Sequence, residues 1–234
     1  EVIDEIEVPK EEQVKGEINY DEVDSNGHYT LDITKQKETN SSQVLLIELE
    51  YDDTKNKLIN EITIENPDNK NAAIKVSKGY SEIAIKVNQG SNKNVDIIPS
   101  TEESLTIKLD DSSYASLKEA NGEVKIQGIN ENSKVSLNQV QPKSNDFVLI
   151  PEIPIEINEV SFYSENSLIV NSNNNENVKI DTVKVQQKAV GTIQNATIVG
   201  KVVFGLLSSL EINENVNLAS STIELSYNEK ISQG

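Results

Sequence analysis

The chain has 234 residues, 39 acidic against 21 basic, and a formal net charge of -18. That charge repels phosphate backbones and anionic headgroups, so nucleic acid is excluded as a natural partner, and no apolar run approaches the roughly 18 residues of a membrane span, so this segment does not insert into a bilayer. Cys, Met and Trp are absent and every basic residue is Lys, which removes disulfides, thiolate metal sites and bidentate guanidinium clamps.

Glu1 to Glu12 is an acidic leader with apolar residues at Val2, Ile3, Ile6 and Val8, closed by Pro9. The sequence begins on Glu rather than Met, which reads as an excised piece, and its acidity, missing Cys and sparse aromatics suit an extracellular location at the cell surface. Alternation then sets in: Ile18 and Tyr20, a turn at Asp24-Ser25-Asn26-Gly27, and Tyr29, Leu31 and Ile33, a β-hairpin signal. Val44 to Tyr51 is the most apolar strand of this half, and strand-like runs follow at Leu58 to Ile64, Ile74 to Val76, Ile83 to Val87, Val95 to Ile97 and Leu105 to Leu109. Short strands with polar turns between them predict an antiparallel β-sheet or sandwich over residues 1–121. One short helix is expected from Ser112 to Ala120, with a serine cap and Asn121-Gly122 as terminator.

Beyond Gly122 the pattern changes to apolar-x-apolar triplets: Val124-Lys125-Ile126, Val135-Ser136-Leu137, Ile155-Glu156-Ile157, Val160-Ser161-Phe162 and Leu168-Ile169-Val170. From Val178 to Tyr227 these triplets recur in threes. Val178, Ile198 and Val216 fall 20 and 18 residues apart, and Val183, Val202 and Ile223 fall 19 and 21 apart. Ile155, Val160 and Leu168 precede Val178, Val183 and Thr192 by 23, 23 and 24. A period near 20 built from short strands predicts a solenoid, because each turn buries its apolar side only by stacking on the next. The fold class predicted is therefore all-β, with the antiparallel region at 1–121 followed by a three-faced, right-handed parallel β-helix at 122–234. Val178, Ile198 and Val216 are expected in one inward column. The asparagine-rich corner Asn171 to Asn177 is expected to take left-handed backbone geometry and to ladder through side-chain amides.

Catalytic constellations are not found. His28 is the only histidine, which excludes a His-dependent triad or a two-His metal site, and it sits beside a turn. The pairs Asp52/Asp53, Glu102/Glu103 and Asp110/Asp111 could in principle supply glycosidic acid–base chemistry, but sequence neighbours point to opposite faces of a strand and are poor candidates to flank one glycosidic bond. Asp24-x-Asn26-Gly27 is a fragment of a calcium loop without the remaining ligands. No catalytic, cofactor-binding or metal-binding residue is assigned, and no cofactor is expected. Asn40-Ser41-Ser42 and Asn195-Ala196-Thr197 match the glycosylation acceptor pattern, which carries little information in so asparagine-rich a chain.

The run Gly191 to Gly205, with Leu210 to Leu218 and the ending Ile223-Glu224-Leu225-Ser226-Tyr227-Asn228-Glu229, resembles the repetitive tail of minor-pilin-like type IV pilus assembly proteins. Gly27-His28-Tyr29-Thr30-Leu31-Asp32-Ile33 followed by the strands Val44 to Tyr51 and Leu58 to Ile64 is similar to the front of such proteins. The resemblance implies a non-enzymatic extracellular structural or adhesion module with protein partners in a surface filament or cell envelope. The alternative is a carbohydrate-binding adhesin, such as the cellulose-adhering tapirins, or a β-helix polysaccharide lyase. Against it stand the missing Trp and Arg and the scattered tyrosines at 20, 29, 51, 80, 114, 163 and 227. Partner, oligomeric state and a Lys–Asn isopeptide bond are not readable from the sequence.

Overall fold

A computed structural model describes residues 3–67, 71–88, 94–111, 114–172 and 177–226. Among these the chain coils continuously, laying alternate strands into two parallel sheets. The first sheet takes β1 (Glu12–Lys15), β3 (Gln43–Leu49), β5 (Ala72–Val76), β7 (Val95–Pro99), β9 (Ala115–Ala120), β11 (Val135–Pro142), β13 (Ile155–Phe162), β15 (Val178–Val185), β17 (Thr197–Phe204) and β19 (Thr222–Leu225). The second takes β2 (His28–Asp32), β4 (Glu61–Glu65), β6 (Glu82–Val87), β8 (Leu105–Leu109), β10 (Glu123–Gly128), β12 (Val148–Pro151), β14 (Glu165–Val170), β16 (Val190–Gln194) and β18 (Ser209–Ile212). The molecule is a parallel β-solenoid, and its inward side chains form one core along its length, dominated by Ile, Val and Leu.

The antiparallel region expected over residues 1–121 does not form. β3 pairs with β5, β5 with β7, β4 with β6 and β6 with β8, all in parallel. The turn at Asp24 to Gly27 makes no hairpin either, since β2 pairs only with β4 and the turn is a corner between sheets. Within the expected helix, Ser112 and Ser113 lie outside the described residues and Ala115–Ala120 is a strand. Ala115, Leu117 and Ala120 face the core there, and tertiary pairing with β7 and β11 overrides a local helical preference. Both sheets run without interruption past Gly122, through the β9–β11 and β8–β10 pairings.

In the C-terminal half the stacking largely follows the triplets. Val183 pairs with Val202 and Val202 with Ile223; Ile155 pairs with Val178 and Val160 with Val183. The expected Val178–Ile198–Val216 column is off by one inward position: Ile198 pairs with Ile180. The bridge between Thr197 and Asn217 sets Val216 level with Ala196 instead. Likewise Thr192 pairs with Ser167, and Leu168 with Ile193. The three faces resolve as two sheets because the long odd strands bend. In β11, Val135, Leu137 and Val140 are buried while Asn138 and Gln139, side by side, both lie outside the core. β13 repeats this pattern, with Asn158 and Glu159 at the bend. One strand therefore supplies two of the three apolar triplets in a rung.

At the corner after β16, Asn195 has φ 61° and donates to the carbonyl of Val170 at 2.8 Å. Its own side-chain oxygen accepts from Asn213 at 2.9 Å and Asn215 at 3.2 Å. This corner joins asparagines of successive rungs through their amides, in the left-handed geometry that Asn tolerates, at a place not singled out for it from the sequence. Residues 173–176 of the other corner lie outside the described residues.

Candidate functional site

The bend in the odd strands divides the outer surface of the first sheet into two facets of contrasting chemistry. On one facet the polar side chains satisfy each other. Asn94 donates to Asp96 at 2.9 Å and accepts from Ser116 at 3.1 Å. Lys118 donates to the side-chain oxygen of Gln139, whose amide in turn donates to Ser161 at 2.9 Å. Ser161 donates to Glu159 at 2.7 Å, and Glu159 pairs with Lys184 at 2.6 Å. These residues come from β9, β11, β13 and β15, with Asn94 and Asp96 at β7, so the chain of bonds runs along the solenoid axis. Burial pushes the Asp96 carboxyl up to about 6, with the Glu11 carboxylate adding to the rise and the Lys118 charge and the Asn94 amide opposing it.

The acidic leader lies lengthwise over this facet. Val8, Pro9, Lys10 and Glu11 line a groove with Val44, Ala73, Asp96, Ile98 and Lys118, and at the far end Gln187 donates to the carbonyl of Asp4 at 2.7 Å. Val44, Ala73 and Ile98 form a small apolar cluster outside the main core. A leader of alternating apolar and acidic residues suits this strip, where Val8 and Pro9 line the same groove as the apolar cluster.

On the other facet most outward side chains make no bond with the described residues, Asp181 excepted, which accepts from Thr182 at 2.9 Å. Register puts Tyr114, Ser136, Glu156 and Lys179 in one column and Asn138, Asn158 and Asp181 in the next, and together they line a shallow groove of about 520 Å³. The side chains of Tyr114, Asn138, Glu156, Asn158 and Lys179 are exposed and make no hydrogen bond or ion pair with the described residues.

The other residues singled out from the sequence serve the fold. Asp24 accepts the backbone N–H of Asn26 at 2.8 Å and of His28 at 2.9 Å, chiefly the latter holding its carboxyl below the usual range. It closes a turn, and no cluster of three His, Cys, Asp or Glu side chains that could hold a metal occurs among the described residues. His28 is exposed, 3.9 Å from Asp24. Asp52 accepts from Thr54 and pairs with Lys55 at 2.9 Å, which depresses its pKa strongly. Tyr29 and Tyr80 use their hydroxyls to accept backbone N–H groups of Asn19 and Ile59, and burial pushes Tyr80 to about 12. Tyr20 accepts from Asn56 at 3.2 Å. Those tyrosines are structural, while Tyr114 is 42% exposed. Tyr227 lies outside the described residues. Asn195 of the second acceptor triplet is tied into the ladder, whereas Asn40 is exposed.

The two facets escaped the sequence reading because each is assembled from residues about a rung apart. The only signal available was the polar middle residue of each apolar triplet, which marks an outward position without saying what lies beside it. No described helix is long and apolar enough to cross a membrane. No family model, no curated protein and no solved structure matches the chain.

Proposed function

We propose that this chain is a non-enzymatic structural module of a cell surface, a stiff coil that joins other β-rungs through its C-terminal end. One observation carries the reading. Val202 is 3% exposed because it lies under Ile223, yet Ile223, in the same inward column, is 73% exposed, and Leu225 is 64% exposed. Leu207 adds a further exposed apolar side chain at 72%, and Phe204, Leu207, Ile223 and Leu225 line one shallow apolar depression. At the opposite end the first rung is closed: Val23, Tyr29, Leu31 and Ile33 are all at most 5% exposed. An inward column that continues past its last paired strand fits a further strand of apolar-x-apolar pattern laid in parallel on β19.

A right-handed coil follows from the strong preference of parallel strand connections. The acidity, the missing cysteine and the resemblance to pilus assembly proteins support an extracellular place in a filament or envelope. Sedimentation of the purified chain across a wide concentration range tests the reading. Self-association or binding to an isolated surface filament, lost in the double variant Ile223→Asp/Leu225→Asp, is the expected result. Strictly monomeric behaviour with no filament binding, or association untouched by the variant, overturns it.

A further inference from the structure

The second facet has the attributes of a binding surface for an extended sugar polymer. Its two columns run along the solenoid axis, so equivalent groups recur at the strand spacing of about 4.8 Å, on the order of one pyranose ring. Asn138 and Asn158 are neighbours in one column, each offering an amide donor and acceptor, and Asp181 follows them on β15. Glu156 and Lys179 are register partners in the other column, supplying an acceptor and a donor. Tyr114 follows Asn94 in that column by the β7–β9 register and is the first of its side chains left unbonded, half exposed and without a partner for its hydroxyl among the described residues. Its ring offers a flat apolar face with a polar tip, the shape that packs on the C–H face of a sugar while bonding its hydroxyls.

The same sheet a few residues further along ties its Lys, Gln, Ser and Glu into a closed network. Here Asn, Glu and Lys stand in register at the same spacing and bond neither one another nor any other described residue, which leaves that capacity for a ligand. Charge narrows the class. Glu156 and Asp181 against Lys179, with Asp111 at the rim, leave the groove net negative on a protein of charge -18. Polyanionic glycans are repelled, while an uncharged polymer, rich in hydroxyls that both donate and accept, matches every group present.

We infer that this groove binds a linear, uncharged polysaccharide lying along the solenoid axis, with Tyr114 as the stacking platform and Asn138 and Asn158 as repeated hydrogen-bonding groups. The inference is independent of the open C-terminal end, because sugar retention and self-association are read separately and on different variants.

The test is retention of the intact chain on insoluble cellulose and in gels containing soluble xylan or mixed-linkage β-glucan, with polygalacturonate as the charged comparison. Tyr114→Ala and Asn158→Ala are compared with Thr63→Ala, which sits on the other sheet, and unchanged thermal unfolding confirms that each variant folds. The expected result is retention by at least one uncharged polymer that falls roughly tenfold in the two groove variants, equivalent to about 1.4 kcal/mol, and is unchanged in Thr63→Ala. Three results overturn the inference: no retention on any uncharged polymer, retention on polygalacturonate alone, or equal retention by wild type and both groove variants.

Discussion

The side-chain amide of Gln187 donates to the backbone carbonyl of Asp4 at 2.7 Å, across 183 residues of sequence. Gln187 follows β15 and Asp4 lies ahead of β1, so this single bond pins the leader along the axis of the coil. Gln187 is itself only 5% exposed, leaving its amide little access to water as a substitute. Gln187→Ala is expected to cost about 1 kcal/mol and to free the leader locally rather than unfold the coil. Trypsin should then cut after Lys10 markedly faster than in wild type, and an unchanged cleavage rate would contradict the pinning.

Asp96 gives the solenoid a pH dependence with a defined sign. Its folded-state pKa is raised from 3.8 to about 6, so between roughly pH 4 and 6 the folded protein keeps a proton that the unfolded chain has released. Its contribution to stability is greatest below that window, falls as pH rises through it, and is flat above. Asp96→Asn keeps an oxygen to accept from Asn94 and removes the charge. The variant should gain on the order of 2 kcal/mol over wild type at pH 8, and the gain should shrink towards zero at pH 4. Urea titrations at the two pH values measure the difference directly, without interference from Asp24, Asp32 and Asp52, whose depressed pKa values act in the opposite direction in both proteins.

Inward and outward positions on β17 should respond very differently to the same new charge. Ile198 is fully buried over Ile180, so Ile198→Asp places an unpaired carboxylate in the core and should cost about 3–5 kcal/mol. Lys201 is partly exposed and pairs with Glu224 at 3.1 Å. Lys201→Asp replaces that exposed pair with two solvent-screened carboxylates, at roughly 1 kcal/mol. Equal shifts in the denaturation midpoint would contradict the assigned faces.

Two left-handed glycines separate conformational strain from steric strain. Gly79 has φ 88°, and a Cβ built on it would meet the backbone oxygen of Tyr51 at 2.2 Å. Gly122 has φ 68° with nothing within 4 Å of the corresponding position. Gly122→Ala should cost about 1 kcal/mol, the backbone term alone. Gly79→Ala adds a backbone clash that cannot rotate away, and should cost at least about 2 kcal/mol more. Thermal unfolding of the two variants under one buffer gives the comparison.

The solenoid of the C-terminal half was legible because its rungs are short and nearly equal: Ile180 to Ile198 is 18 residues and Ile193 to Ile212 is 19. In the first rungs the corners are long. Leu45 to Ala72 is 27 residues and Tyr29 to Ile62 is 33, so the period disappears although the strands obey the same alternation. Alternation places Leu31, Ile62 and Ile85 on an inner face but is identical for parallel and antiparallel neighbours. The direction of pairing between β2, β4 and β6 was therefore settled only by how the corners return the chain. The same limit applies to the two outer facets. The sequence marks Asn138, Glu156 and Lys179 as outward residues, because each follows or separates buried apolar neighbours. Whether outward side chains bond one another, as Gln139, Ser161 and Glu159 do, or bond no described residue, as with Asn138 and Asn158, depends on registers and a bend that bring together residues some 20 positions apart. Local pattern determined which side of the sheet each residue occupies, and only the stacking of the rungs decided its neighbours.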